Sequence, residues 1–112
     1  MKEGDVALAV MPQFDQRAKS RPVIVLRGMP SHRDVLVCGV STRFHQRIEN
    51  FDEVISLADP DFRSSGLLSE SLIRLGFLAI LPRGRIAGSI GAVSPERHRR
   101  LLRALSGYLI AA

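Results

Sequence analysis

The sequence has a single cysteine and no apolar run long enough to cross a membrane. Cys38 is the only cysteine among 112 residues, so no disulfide can form within the chain and nothing indicates an oxidising compartment. Near the N-terminus, the acidic residues Glu3 and Asp5 precede a short apolar run that Pro12 ends. A signal peptide has the opposite charge and a longer apolar segment. We therefore expect a cytoplasmic protein without membrane attachment.

Lysine is also scarce, because Lys2 and Lys19 are the only lysines among 16 basic residues. The formal net charge is +5 and the pI is about 10.6, which favours an acidic partner: nucleic acid, an acidic membrane surface or an acidic protein. Arginine's planar fork of donors suits phosphate groups, although a genome rich in arginine codons would give the same composition. With 46% hydrophobic and 24% charged residues, residues 1–112 are expected to form one folded domain.

Short apolar runs predict a series of strands. They lie at residues 5–10, 22–26, 35–40, 71–75 and 77–81, with a short edge strand at 53–57. Residues 11–20 are broken by Pro12 and several charges and are predicted to be a loop. Residues 82–91 are rich in glycine and arginine, and no strand is assigned there.

The end of the chain predicts an amphipathic helix. Ser94 suits its N-cap, Pro95 its first position and Glu96 the positive end of its dipole. The apolar face comprises Leu101, Leu102, Leu105 and Leu109, and polar cover comes from Arg97, Arg99, Arg100 and Arg103. Strands followed by one helix predict a mainly β fold with α (α+β), in which a small, strongly curved antiparallel barrel carries the C-terminal helix.

Four stretches, taken in order, resemble one known family. They are GDV at 4–6, RPVIVL at 21–26, VCGVST at 37–42, and SLIR at 71–74 followed by IGAVS at 90–94. No single stretch is specific, but their order and spacing along nearly the whole chain resemble the MazF/PemK toxins. These are mRNA interferases of type II toxin–antitoxin systems, with an SH3-like barrel of the CcdB/PemK type.

The resemblance implies a sequence-selective, metal-independent endoribonuclease that cleaves single-stranded RNA and leaves a cyclic phosphate. It implies no cofactor. It also implies a homodimer with RNA in the groove between the subunits, and a cognate antitoxin whose acidic segment occupies that groove.

The same resemblance implies which residues carry the chemistry. Arg21 matches the family's catalytic arginine, and Ser41 matches a serine or threonine of the site. Arginine stays charged and offers two donors to phosphate oxygens, which suits a developing phosphorane charge. The residues expected to bind RNA are Asp15, Gln16, Arg17, Lys19, Thr42, Arg43 and Arg74.

One departure concerns the general base. Some family members pair the arginine at Arg74 with an aspartate two residues later, where this chain has Gly76. Asp15 is the acid of the 11–20 loop and becomes the candidate base. Phe44, beside Arg43, is a possible stacking face for a base, although a core position is favoured for it.

No metal site is predicted, because His32, His45 and His98 form no ligand pattern with Cys38. Cys38 is instead expected to be a buried apolar residue. Two alternatives remain. A non-catalytic CcdB-like toxin would bind DNA gyrase and would not require the Arg21 and Ser41 combination. An inactive relative would bind RNA without cutting it, which Gly76 leaves open.

Overall fold

The fold is an antiparallel sheet with a helix at the C-terminal end. The computed structural model describes residues 1–12, 18–30 and 33–111. The strands are β1 (Asp5–Pro12), β2 (Ala18–Gly28), β3 (Val35–Ser41), β4 (Glu53–Ile55), β5 (Ser71–Leu81) and β6 (Ile86–Ala92). The helices are α1 (Phe62–Ser65) and α2 (Pro95–Ile110), with 3₁₀ turns at Phe44–Gln46 and Arg83–Arg85.

The six strands form one sheet in the order β4-β5-β3-β2-β1-β6, and every neighbouring pair is antiparallel. The predicted α+β class with a C-terminal helix is therefore confirmed. Within the described residues, the edge strands β4 and β6 do not pair with each other, so the curved sheet stays open between them. None of the helices in this part of the chain has the length and apolar character needed to cross a bilayer.

The observed strands differ from the predicted ones, and the largest differences are the following. Residues 71–81 form one strand instead of two, because the chain continues through Gly76 with a shift in its pairing. Strand β6 lies where no strand was assigned, since an edge strand rich in glycine has little apolar periodicity. Residues 11–12 and 18–20 belong to β1 and β2, because backbone pairing extends these strands beyond their apolar residues.

The two faces of the sheet contribute to two separate apolar clusters. The larger cluster lies beneath α2 and contains Val6, Ile24, Leu26, Cys38, Val40, Ile55, Ile73, Leu75, Val93, Leu101 and Leu105. The smaller cluster uses the alternate residues of the central strands and contains Ala7, Ala9, Val23, Val25, Val35, Val37 and Leu81. Alternation along β2 thus sends Val23 and Val25 to one face and Ile24 and Leu26 to the other.

Helix α2 begins as predicted but ends differently. The Ser94 hydroxyl accepts a hydrogen bond from the backbone N–H of Arg97, and Pro95 occupies the first turn. Leu101 and Leu105 are buried, whereas Leu109 is 67% exposed and its predicted core position is wrong. The buried side chains of α2 end at Leu105, so the last turn projects beyond the core.

The prediction that Arg97 covers the helix surface was also wrong. Its side chain is only 5% exposed and binds three carboxylates. Arg97 donates to Asp61 at 2.8 and 3.2 Å, to Asp59 at 3.0 Å and to Glu53 at 2.7 Å. Arg100 also pairs with Glu53, at 3.1 Å. This ion-pair cluster joins the start of α2 to β4 and to the segment before α1.

The ion-pair cluster changes the titration of its members. Backbone donation from Ser56 and the nearby Arg97 charge hold the pKa of Asp59 below its usual 3.8. Burial raises the pKa of Asp61, but hydrogen bonds from Arg97 and from the backbone N–H of Ser94 outweigh it, so this pKa also lies below 3.8. For Arg97 burial acts in the opposite direction and lowers the pKa, but the surrounding carboxylates outweigh this effect, so the pKa of Arg97 is raised.

We predict that Arg97→Met lowers the free energy of unfolding by roughly 3–5 kcal/mol at pH 7, because it leaves the buried carboxylate of Asp61 without its partner. The pKa values of Asp59 and Asp61 are lower in the folded state than the unfolded pKa of 3.8. These carboxylates therefore stabilise the fold above pH 3.8 and lose that contribution as the pH falls through their folded-state pKa values. The deficit of the variant should therefore shrink below pH 3.8. Urea titrations between pH 7 and pH 3 measure it, with the exposed Arg99→Ala as control. An equal deficit at both ends of this range would contradict the prediction.

Candidate functional site

Three of the predicted site residues lie on neighbouring strands and on one face of the sheet. Gly39 of β3 pairs with Val23 of β2 on one side and with Arg74 of β5 on the other. Residues paired across antiparallel strands point to the same face. Arg21 lies two residues from Val23, and Ser41 lies two residues from Gly39. Strand alternation therefore places both side chains on the same face as Arg74.

Strand geometry sets how far apart these residues are. Neighbouring strands lie about 4.8 Å apart, and two residues along a strand span about 6.8 Å. Arg21 lies two strands away from Arg74 and is offset from it by two residues along the strand direction, which corresponds to a Cα separation of about 12 Å. Both side chains are long enough to approach a phosphate lying between them. Ser41 lies on the strand that separates them.

Ser41 ends β3 and is half-buried. Its hydroxyl oxygen accepts a hydrogen bond from the backbone N–H of Arg43 at 3.0 Å, which leaves the hydroxyl proton available for donation. Thr42 and Arg43 follow as exposed residues, and the Thr42 carbonyl accepts from Phe44 at 3.2 Å to begin the 3₁₀ turn. The turn that follows β3 thus holds the Ser41 side chain through the hydroxyl oxygen and does not use the hydroxyl proton.

Arg21 and Lys19 are both exposed on β2, two residues apart, and alternation places them on the same face. They extend the basic surface of the site along this strand. The remaining predicted residues of this region, Asp15, Gln16 and Arg17, lie outside the described residues.

A phenylalanine for which the sequence gives no signal lies beside Arg74. The Arg74 guanidinium carbon is 5.9 Å from the centroid of the Phe77 ring, and Phe77 is 47% exposed. Phe44, for which stacking was the less favoured alternative, is 42% exposed in its 3₁₀ turn, so the core position favoured for it is wrong. Phe77 was overlooked because it opens an apolar run that was assigned to a separate strand.

Asp52 is a buried carboxylate that contacts β5, the strand that carries Arg74. It is 5% exposed, and its two oxygens accept the backbone N–H groups of Ile48 at 2.9 Å and Leu75 at 3.0 Å. These bonds hold the loop before β4 against β5. Asp52 therefore serves the packing of this loop on β5.

The described part of the chain contains no group of three or more His, Cys, Asp and Glu side chains that would hold a metal ion. Cys38 is fully buried, as expected for a small apolar residue. Burial raises the pKa of its thiol to about 12. His98 contacts the Leu26 carbonyl oxygen at 2.8 Å, so it serves the packing of α2 on β2.

Comparison with known proteins identifies the family. The family model described as "PemK-like, MazF-like toxin of type II toxin-antitoxin system" matches residues 2–109. The chain belongs to this family. The resemblance drawn from the four sequence stretches is therefore confirmed, and the match covers every strand and nearly all of α2. No curated protein matches the sequence.

Solved structures of MazF-type toxins share the fold. One is an endoribonuclease in complex with its cognate antitoxin, from a mycobacterial species, with a TM-score of 0.70 and 15% identity. The alignment covers 97% of this chain and 94% of that one. Another is the Mycobacterium tuberculosis toxin MazF-mt6, with a TM-score of 0.68 and 19% identity over 96% and 98% of the two chains. At such identities the likeness shows a shared fold.

The burial of Cys38 leads to a prediction about thiol chemistry in this PemK/MazF-family protein. At pH 8 the folded protein should react with a thiol reagent such as DTNB only as fast as it unfolds, because Cys38 is fully buried and its raised pKa of about 12 also leaves little thiolate. The same protein in guanidinium chloride should release one equivalent promptly. Rapid labelling of the folded protein would contradict the structure.

Proposed function

We propose that this PemK/MazF-family chain is a metal-independent endoribonuclease that cleaves single-stranded RNA sequence-selectively in the cytoplasm. The observation that carries the proposal is the placement of Arg21, Ser41 and Arg74 on one face of three adjacent strands. Residues 1–112 act as a single catalytic domain that uses no cofactor.

The proposed reaction is an internal transfer. The 2′-oxygen forms a bond to phosphorus, the bond from phosphorus to the 5′-oxygen breaks, and the products are a cyclic phosphate and a 5′-hydroxyl. The proton of the 2′-hydroxyl passes to a base, the leaving 5′-oxygen takes one proton from water, and the base then returns its proton to the solvent. This chain has Gly76 where some relatives have a carboxylate near the arginine that matches Arg74. Asp15 is therefore the proposed base.

Arg21 stabilises the negative charge that develops on the phosphorane oxygens. A guanidinium suits this role because it stays protonated and contacts two oxygens at once. Ser41 donates its hydroxyl proton to a phosphate oxygen or to the attacking group and so fixes the reacting geometry. Arg74 binds the phosphate from the neighbouring strand.

RNA affinity would come from the surrounding basic and polar residues. Lys19, Thr42 and Arg43 border the same end of the sheet, and all three are exposed. The sequence places Asp15, Gln16 and Arg17 in the loop that precedes β2, where we propose that they also contact RNA. The net charge of +5 attracts the RNA backbone over a longer range.

We further propose two protein partners. The chain forms a homodimer with the RNA in the groove between its subunits, as the family resemblance implies. A cognate antitoxin would inhibit it by placing an acidic segment across the basic site. The solved mycobacterial endoribonuclease in complex with its cognate antitoxin supports such a partner.

The purified chain, free of antitoxin, should cleave a long single-stranded RNA in excess EDTA, because no step of the proposed reaction uses a metal. Gel analysis should show discrete fragments carrying a cyclic phosphate. Arg21→Ala purified in parallel controls for contaminating ribonuclease. Complete loss of cleavage in EDTA would overturn the metal-independent mechanism, and intact RNA together with inhibited DNA gyrase would favour the CcdB-like alternative.

Substitutions at the site should separate catalysis from general basicity. Arg21→Ala should lower the single-turnover rate by roughly a hundredfold or more, the scale of losing one preorganised donor. Arg21→Lys should restore little, since an ammonium cannot make the two-pronged contact. Ser41→Ala should slow cleavage, and Ser41→Thr should retain much of it.

Arg99→Ala is the matched control, because it removes the same charge from an exposed position on α2. It should leave the single-turnover rate nearly unchanged, and circular dichroism should show that every variant is folded. Equal losses in Arg21→Ala and Arg99→Ala would mean that Arg21 contributes only diffuse charge.

A further inference from the structure

Strand β5 shifts its pairing with β3 at one point, and this shift presents an aromatic ring. Gly39 pairs with Arg74, but the preceding residue of β3, Cys38, pairs with Leu78. Residues 75–77 therefore stand opposite no residue of β3, which is the geometry of an enlarged β-bulge. Bulges redirect side chains, and here Phe77 is directed toward the face that carries Arg74.

The Phe77 ring rests on Gly39. A Cβ atom at Gly39 would lie 2.9 Å from Cδ1 of the ring, closer than Cβ atoms pack, and 3.3 Å from Cγ, which is a tight contact. The absence of a side chain at Gly39 is therefore what allows the ring to lie against β3. Despite this seat, Phe77 remains 47% exposed, so the ring is held in place while much of its surface is open to solvent.

Arg74 completes the arrangement. Its guanidinium carbon lies 5.9 Å from the ring centroid, and its Cα is paired with Gly39, the residue beneath the ring. An exposed aromatic ring beside an arginine is the combination that proteins use to hold single-stranded RNA, in which the base stacks and the cation binds phosphate. Phe44, by contrast, lies in a single 3₁₀ turn outside the sheet.

From this geometry we propose that Phe77 is a specificity-determining residue: it stacks on the nucleobase next to the scissile phosphate. The inference rests on the proposed function, since it assigns a part of that RNA site. Arg74 binds the phosphate of the stacked nucleotide, and Gly39 is a positioning residue that seats the ring. A purine overlaps more of the ring than a pyrimidine does, so a purine is preferred at this nucleotide.

The test measures binding separately from cleavage. Cleavage sites are first mapped on a long RNA, and a short oligonucleotide is then made with a 2′-deoxynucleotide at the cleavage position, so that no attack is possible. The purine analogue 2-aminopurine replaces each neighbouring base in turn. Its fluorescence is quenched when it stacks, and titration of the protein gives both the quench and the Kd.

Phe77→Leu is the decisive variant, because it keeps apolar packing on Gly39 but removes the aromatic face. It should abolish the quench at one position, weaken binding by roughly 5- to 150-fold and erase the purine preference, the range expected for one stacked base. Phe77→Tyr should retain all three properties. Gly39→Ala should reproduce part of the loss while Phe77 is still present, since the added Cβ displaces the ring.

Ile80→Ala is the control, as Ile80 is 55% exposed on the same strand but pairs with Leu36, on the opposite face from Phe77. It should change the Kd by no more than about twofold. Phe77→Leu should raise KM by a larger factor than it lowers kcat, since the main loss lies in binding.

Three results would overturn the inference. The first is a parent protein that cleaves RNA and a Phe77→Leu variant with the same quench and Kd; this leaves the proposed function intact. The second is a Phe77→Leu variant that changes only the oligomeric state, measured by light scattering, which would assign the ring to a contact between copies of the chain. The third is a parent protein that neither binds nor cuts RNA, which would overturn the proposed function as well.

Discussion

The pairing of Gly39 with both of its neighbouring strands is the constraint on which the site depends. Because Val23 lies opposite it on β2 and Arg74 opposite it on β5, one row of the sheet fixes the relative positions of three strands. Side-chain alternation then assigns Arg21 and Ser41 to the face of that row. A shift of one residue in the β2–β3 pairing would turn Arg21 toward the core beneath α2, and the same shift in the β3–β5 pairing would turn Arg74 toward it.

The sequence predicted the elements whose side chains are buried in a regular pattern. The apolar runs of β2 and β3 and the Ser94–Pro95 start of α2 are local features, and they were found. Strand β6 was missed because edge strands are defined by backbone pairing. The shift within β5 was missed for a related reason, since Gly76 interrupts the apolar pattern without ending the strand.

The same limits apply to the site. Arg21, Ser41 and Arg74 came from the family resemblance, and their shared face follows from the register of the strands. Phe77 and Asp52 had no sequence signal, because their positions depend on contacts with Gly39 and with the backbone of β5. Arg97 was assigned to solvent because helical spacing cannot show that three carboxylates from distant segments surround it. A strongly basic chain thus uses one of its arginines for folding.

The enlarged bulge in β5 lets one set of residues pair with β3 and hold the fold together while another set is exposed to solvent. The strand pairs with β3 on both sides of the bulge, so the ladder secures the fold independently of which side chains occupy positions 76 and 77. Those positions lie outside the ladder and are exposed, whereas their neighbour Leu75 is buried. Under the proposed role of Phe77, substitutions there would alter what the surface recognises at little cost in stability, so ligand preference could diverge in this short segment during evolution.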